Sequence, residues 1–199
     1  WNALQQSFTV FFKNSIFVAI LVVIGNVVSC SITAYAFARL EFRGRRVWFV
    51  VMLGTLMLPY HVTLIPQYVL FLNLGWIDTF LPLIVPKFLA ADAFFIFLMV
   101  QFFRGIPREL DEAAVLDGCS PWRIYWKIMM PLSLPVLTTT AIFSFIWTWN
   151  DFLGPLVYLN DASNYTVPLA LRSFMDSTGQ SAFGQLFAMS VLAILPIFL

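Results

Sequence analysis

Between Arg104 and Pro131 the sequence gathers its densest set of ionisable side chains: Arg104, Arg108, Glu109, Asp111, Glu112, Asp117, Arg123 and Lys127. Such a cluster could serve acid–base catalysis or docking onto another protein. Catalysis needs paired carboxylates at one depth, or a nucleophile beside a base. The other carboxylates are dispersed and His61 is the only histidine, so neither constellation forms. A single histidine also excludes a histidine-built metal site, and His61 reads as a hydrogen-bonded structural residue ahead of a proton relay. Cys30 lies in an apolar run and Cys119 in a polar loop, which argues against a disulfide or a thiolate metal motif. The chain holds no G-x-x-x-x-G-K-[ST] phosphate loop and no Gly-Lys pair, so it cannot cradle ATP by that motif. No catalytic residue, metal ligand, bound cofactor or nucleic-acid partner is expected.

The same stretch is punctuated as helix, sharp turn, helix. Pro107 opens the first helix where a missing amide does no harm, and Glu109, Asp111 and Glu112 put negative charge in the first turns, where the helix dipole favours it. That helix is predicted over 109–117. Gly118 stands where a helix ends in a left-handed residue, and Ser120-Pro121 supply an N-cap and first-turn proline for a second helix ending at Pro131. Ala113 and Ala114 give the first helix a small, flat face. Two readings of this pair stay open on physics alone: a peg for a groove on another protein, or amphipathic surface helices.

What must position this loop is a membrane protein. Of 199 residues 61% are hydrophobic and only 11% charged, whereas globular domains average about 25% charged residues. The apolar excess must face lipid. At roughly 20 residues per crossing, five spans are predicted, over 15–38, 47–72, 80–103, 134–159 and 183–199. Eight of the eleven Lys and Arg fall in two loops: Arg39, Arg43, Arg45 and Arg46, then Arg104, Arg108, Arg123 and Lys127. Two spans separate these loops, so they share a side, and the positive-inside rule makes loops 39–46 and 104–131 cytoplasmic. The connections 73–79 and 160–182 then face outward with Asp78, Asp161 and Asp176 against one Arg172. An outside start without a signal peptide predicts a missing upstream span, six in the full protein, and the apolar 186–199 end suggests a missing tail.

Several spans carry more than lipid-facing residues. Gly25, Ser29 and Thr33 recur every four residues, with Asn26 alongside, as a face for close helix approach. Pro59, His61, Pro66 and Gln67 predict a bent helix beside a polar cavity. Lys87 and Asp92 would each cost about 2.5–3.5 kcal/mol at a span centre. Pro82 and Pro86 favour an irregular outer segment that keeps these charges near water. Asn26, His61, Gln67, Asn150 and Asp151 are candidates for a polar path, with Asn150 and Asp151 equally able to fix a kink before Gly154-Pro155. The outer loop 160–182, with Asn164, Tyr165 and Asp176, is a candidate docking surface.

Glu112-Ala113-Ala114, Gly118 four residues on, Ile128 and Pro131 resemble the EAA loop of permease subunits of binding-protein-dependent ABC importers. The family pattern is EAA, three residues, Gly, nine residues, Ile, one residue, Leu-Pro, and the only departure is Met130 for Leu, a volume-preserving change. The runs 34–40 (AYAFARL), 101–110 (QFFRGIPREL) and 149–153 (WNDFL) resemble the carbohydrate-uptake branch, in particular the second permease of each pair. The resemblance implies an all-α, polytopic type I importer permease in a bacterial or archaeal plasma membrane, a single domain over 1–199. It further implies a cytoplasmic ATPase dimer holding ATP and Mg, a second permease, an extracytoplasmic solute-binding protein, and coupling through Glu112, Ala113, Ala114, Asp117 and Gly118 with Arg108 and Arg123 at the rim. An importer of a non-sugar solute, an ion-coupled secondary carrier, a channel and an intramembrane enzyme are the competing classes; the last lacks a catalytic constellation.

Overall fold

The computed structural model describes residues 2–177 and 183–198, with side chains over 8–174 and 187–198. Its helices are α1 (Asn2–Arg39), α2 (Arg45–Thr55), α3 (Tyr60–Asn73), α4 (Leu81–Phe88), α5 (Ala93–Gly105), α6 (Glu109–Leu116), α7 (Pro121–Ile124), α8 (Met130–Leu132), α9 (Leu134–Trp149), α10 (Leu153–Tyr158), α11 (Val167–Ser177) and α12 (Phe183–Phe198). A π-turn, Tyr125–Met129, joins α7 to α8, and a 3-10 turn, Ala162–Asn164, precedes α11.

Among the described residues two helical stretches are long and apolar enough to cross a membrane unaided, Phe8–Arg39 and Leu81–Gly105. Two bent pairs pass only when joined: α2 with α3, bent by 98°, and Pro121–Leu132 with α9, bent by 76°. The bend predicted near Pro59 is therefore a full break over 56–59, because a proline withholds an amide and its ring blocks the preceding turn. The fourth predicted span, 134–159, is interrupted: α9 stops at Trp149 and α10 begins only at Leu153. The fifth predicted span corresponds to α12, described over Phe183–Phe198. The 160–182 connection, read as a loop, contains α11; residues 178–182 and the Asp176 side chain lie outside the described residues.

The chain divides into two compact units. The first comprises 1–22, 63–85 and 144–199. Phe8 and Phe11 of α1 meet Val167 and Ala170 of α11 and Ala193 of α12 in one core cluster, and Val18 and Val22 meet Ile84 in another. Trp149 Nε1 donates to the Ala193 carbonyl at 2.9 Å. The 73–79 turn is knotted to 158–164 through Asp78, whose amide donates to Tyr158 O at 2.8 Å. Its carboxylate accepts from the amides of Asp161 and Asn160 at 2.9 and 3.0 Å.

The second unit comprises 23–62 and 86–143. Its core joins Cys30, Ala34, Tyr35 and Ala38 of α1 to Phe95, Ile96, Met99, Val100 and Phe103 of α5, with Ala114, Ile124, Tyr125 and Met129 from the 104–131 segment. Helix α2 buries none of its residues, and Val47, Trp48, Val50 and Val51 stand exposed, an apolar surface at home in lipid. Both cysteines are free thiols.

The small face of α1 rests on the end of α4. A side chain at Gly25 would meet the Phe88 ring at 2.8 Å and the Lys87 backbone at 3.2 Å. Ser29 Oγ donates to Lys87 O at 2.7 Å, whereas Thr33 turns back to Ser29 O at 2.9 Å within its own helix. Lys87 ends α4 and Asp92 opens α5, and they pair at 3.0 and 3.1 Å across the intervening break. Each stands at the helix end whose dipole favours it, their side chains stay part-exposed, and they lie at the break between the short α4 and α5, the irregular segment expected there. Gly25→Leu is expected to cost about 1–3 kcal/mol by overpacking, read as a lower melting temperature of the detergent-purified protein. A wild-type melting curve for that variant would show that α1 does not rest on α4 in this way.

Candidate functional site

The candidate site is built on α6 and the helical run from α7 to α8. Helix α6 begins at Glu109, after Arg108, whose carbonyl accepts from the Asp111 and Glu112 amides at 2.9 and 3.0 Å. Pro107 thus precedes the helix instead of opening it. Three carboxylates, Glu109, Asp111 and Glu112, fill the first turn. The helix closes at Asp117 with two bonds from beyond it, Gly118 N to Val115 O and Cys119 N to Ala114 O, both at 2.9 Å. This is the Schellman pattern, which requires a left-handed residue after the cap, and Gly118 supplies it with φ +75°.

Ser120 then caps the second helix, accepting from Arg123 N at 3.4 Å, with Pro121 in its first turn. The run continues past Pro131 to Leu132, beyond the predicted end. Its π-turn explains how: Met130 N reaches back to Tyr125 O, a wider turn that accommodates a proline unable to extend an α-helical ladder.

The two alanines diverge. Ala114 is buried in the unit's own core while Ala113 faces out, so the expected flat face is only half available. What α6 and its neighbour expose is apolar and aromatic: Leu110, Val115, Leu116 (89% exposed), Trp122 and Trp126. Glu112, Asp117, Gly118, Arg108 and Arg123 are exposed around them. Trp122 stacks on Tyr125 at 5.3 Å, and Trp126 meets Tyr125 edge-on at 5.1 Å. The Tyr125 hydroxyl bonds Ser31 at 2.8 Å, and Tyr35 OH donates to Pro121 O at 3.1 Å. These anchors escape a sequence reading because the tyrosines look like ordinary apolar fill.

The path candidates are divided between the two units. Asn26 is 2% exposed within the second, and His61, also there, is exposed with its ring against Tyr60. In the first, Gln67 Oε1 accepts from Tyr158 OH at 3.4 Å. Asn150 Nδ2 donates to Ile146 O at 2.8 Å, and Asp151 Oδ1 accepts from Gly154 N at 3.2 Å. These two side chains end α9 and start α10. Of the outer-loop candidates, Asn164 donates to the Asp78 carbonyl at 3.0 Å, and Tyr165 offers its carbonyl to Asn14 at 3.1 Å. Among the described residues no group of three or more His, Cys, Asp or Glu is placed to hold a metal ion.

Two predictions follow from these geometries. An added Cβ at Gly118 meets nothing within 4 Å, so the penalty there is purely backbone. Asn, which tolerates the left-handed region, is expected to keep the turn, and Val to lose about 1–2 kcal/mol locally, seen as faster amide exchange at Cys119. The Asp78 carboxyl is held below the usual aspartate range by the Asp161 amide and then that of Asn160. Its contribution to the knot is present above the ordinary aspartate pKa of about 3.9 and is lost as pH falls through the lower folded value. Exchange protection of the Asn160 and Asp161 amides, corrected for intrinsic rate, should persist unchanged from pH 7 to pH 5 and fail only in stronger acid. Loss of protection already near pH 5 would contradict the depressed carboxyl.

Comparison with known proteins agrees with this architecture. Residues 27–199 match the family described as binding-protein-dependent transport system inner membrane component. The chain is 34% identical over 99% of its length to the probable ABC transporter permease protein YurM of Bacillus subtilis. It is 36% identical over 94% of its length to the arabinooligosaccharides transport system permease protein AraQ of Halalkalibacterium halodurans. It spans 64% and 66% of those two relatives. A crystal structure of a bacterial ABC transporter involved in import of the acidic polysaccharide alginate contains a chain that superposes with TM-score 0.85 at 26% identity, over 96% of this chain and 72% of that one. The chain belongs to the inner membrane components of binding-protein-dependent transport systems.

Proposed function

We propose that this chain is the membrane-spanning permease subunit of an ATP-driven ABC importer that moves a sugar or oligosaccharide into the cytoplasm. It performs no covalent chemistry. ATP and Mg are held by a separate cytoplasmic ATPase dimer, another permease of the same kind completes the pore, with this chain the second of the pair, and an extracytoplasmic solute-binding protein delivers the substrate. Closure of the ATPases on ATP moves the 109–130 helix pair, and the spans exchange inward-open for outward-open states.

The observation that carries the reading is the capped helix pair itself. An apolar and aromatic cluster of Leu110, Val115, Leu116, Trp122 and Trp126 stands exposed on a segment rimmed by charges, the form of a helix made to enter an apolar groove on a soluble partner. Leu116, at 89% exposure, contributes nothing to the chain's own core and is therefore best explained by a partner. The sugar class is supported by the relatives, one named for arabinooligosaccharides and one solved as part of an alginate importer.

Two measurements test this. In the purified complex, ATP hydrolysis is expected to rise severalfold when the cognate soluble binding protein is added with its sugar; a channel, secondary carrier or enzyme would show no such dependence. Leu116→Asp is expected to leave membrane levels unchanged while reducing co-purified ATPase at least tenfold, and wild-type retention of the ATPase would remove Leu116 from the contact.

A further inference from the structure

One side chain joins the proposed coupling helix to the membrane helices. The Arg39 guanidinium, its side chain 4% exposed, pairs through Nη1 with Asp111 Oδ2 at 3.1 Å. Its Nη2 donates to Phe103 O at 2.7 Å and Ile106 O at 2.6 Å. Arg39 is the last residue of α1, Phe103 and Ile106 lie at the end of α5, and Asp111 is in the first turn of α6. Three helix ends thus converge on one cation. The electrostatics agree at each: a positive charge at the C-termini of α1 and α5, and a negative one at the N-terminus of α6.

Stability alone does not account for this pair. Arg39 Nε and Asp111 Oδ1 are buried with no hydrogen-bond partner, and a half-satisfied buried ion pair is generally no more stabilising than apolar side chains of similar volume. What an apolar pair cannot supply is register. Ala114, the only buried residue of α6, presents a single methyl that would let the helix slide or turn on its bed. A fixed charge contact one turn earlier, together with the two carbonyl bonds, sets one position.

We propose that Arg39 and Asp111 are a positioning pair that holds α6 in register with α1 and α5, so that displacement of α6 by a partner is delivered to both membrane helices at once. The inference rests on the reading of α6 as the ATPase contact. Asp111→Asn removes the charge at constant volume, Asp111→Glu retains it, and Arg39→Met combined with Asp111→Leu replaces the pair by apolar side chains.

In the assembled, reconstituted transporter, substrate moved per ATP hydrolysed is expected to fall at least fivefold in Asp111→Asn and in the double variant. Complex yield and unstimulated ATPase should stay within twofold of wild type, and Asp111→Glu should recover at least half of the coupling. Wild-type stoichiometry in Asp111→Asn and the double variant overturns the proposal, as does a proportionate loss of yield, ATPase and transport, which would mark a purely structural pair. Spin labels at exposed Glu41 and Leu116 of the full chain give a readout independent of transport. Their distance distribution is expected to be narrow in wild type and broadened in Asp111→Asn, and an unchanged distribution overturns the positioning role. A wild-type complex lacking binding-protein-stimulated ATPase would sink the functional reading instead, leaving the spin-label result to decide the pair.

Discussion

The second unit depends on a charge that has nowhere else to go. Arg39 ends a long apolar helix, and its side chain is almost wholly removed from water. A guanidinium in that position is tolerable only when its donors are used, and the structure uses two nitrogens on two carbonyls and one carboxylate. Phe103 O also accepts from the Ile106 amide at 3.2 Å, and Ile106 O belongs to the residue just past α5, where acceptors commonly lack intrahelical donors. One cation therefore adds donors at the end of α5 and anchors the next helix in the chain. The remaining anchors repeat this logic with hydroxyls, Tyr35 on the Pro121 carbonyl and Tyr125 on Ser31, so the helical run after Gly118 is fastened to α1 at two further points.

Breaks in the membrane helices follow the same accounting of backbone groups. In lipid every amide and carbonyl must find a partner inside the protein, and at two of the helix breaks side chains supply it. Asn150 and Asp151 do this where α9 stops and α10 starts. Lys87 and Asp92 bridge the gap between α4 and α5, and Ser29 takes up the Lys87 carbonyl. Polar residues thus mark the breaks at 89–92 and 150–152. The breaks at 56–59, 89–92, 133 and 150–152 divide the apolar segments into shorter rods.

Much of the candidate site is legible in the sequence. The acidic first turn of α6, the left-handed Gly118 and the Ser120-Pro121 cap are local signals, each set by a few neighbouring residues, and each appears at the expected position. Helix ends were less legible. Pro131 looked like a stop, and the π-turn that carries the chain past it has no simple residue signature. The interruption of the fourth span was legible as a kink at Asn150 and Asp151 before Gly154-Pro155, because both side chains find their partners locally, on Ile146 O and Gly154 N.

The boundary between what sequence and fold decide is the range of the forces involved. Charge scarcity, hydrophobic run length, helix caps and the EAA spacing are properties of contiguous residues, and they determined a helical membrane protein with one capped, polar helix pair and its family. Which of Ala113 and Ala114 turns inward, that Lys87 finds Asp92, and that Arg39 reaches Asp111 were decided by tertiary structure. Each depends on a partner in another helix or on the rotation of a helix about its own axis. Contacts between residues 72 positions apart, as Arg39 and Asp111 are, exist only after loop closure has placed their helices side by side, and no local pattern encodes that placement.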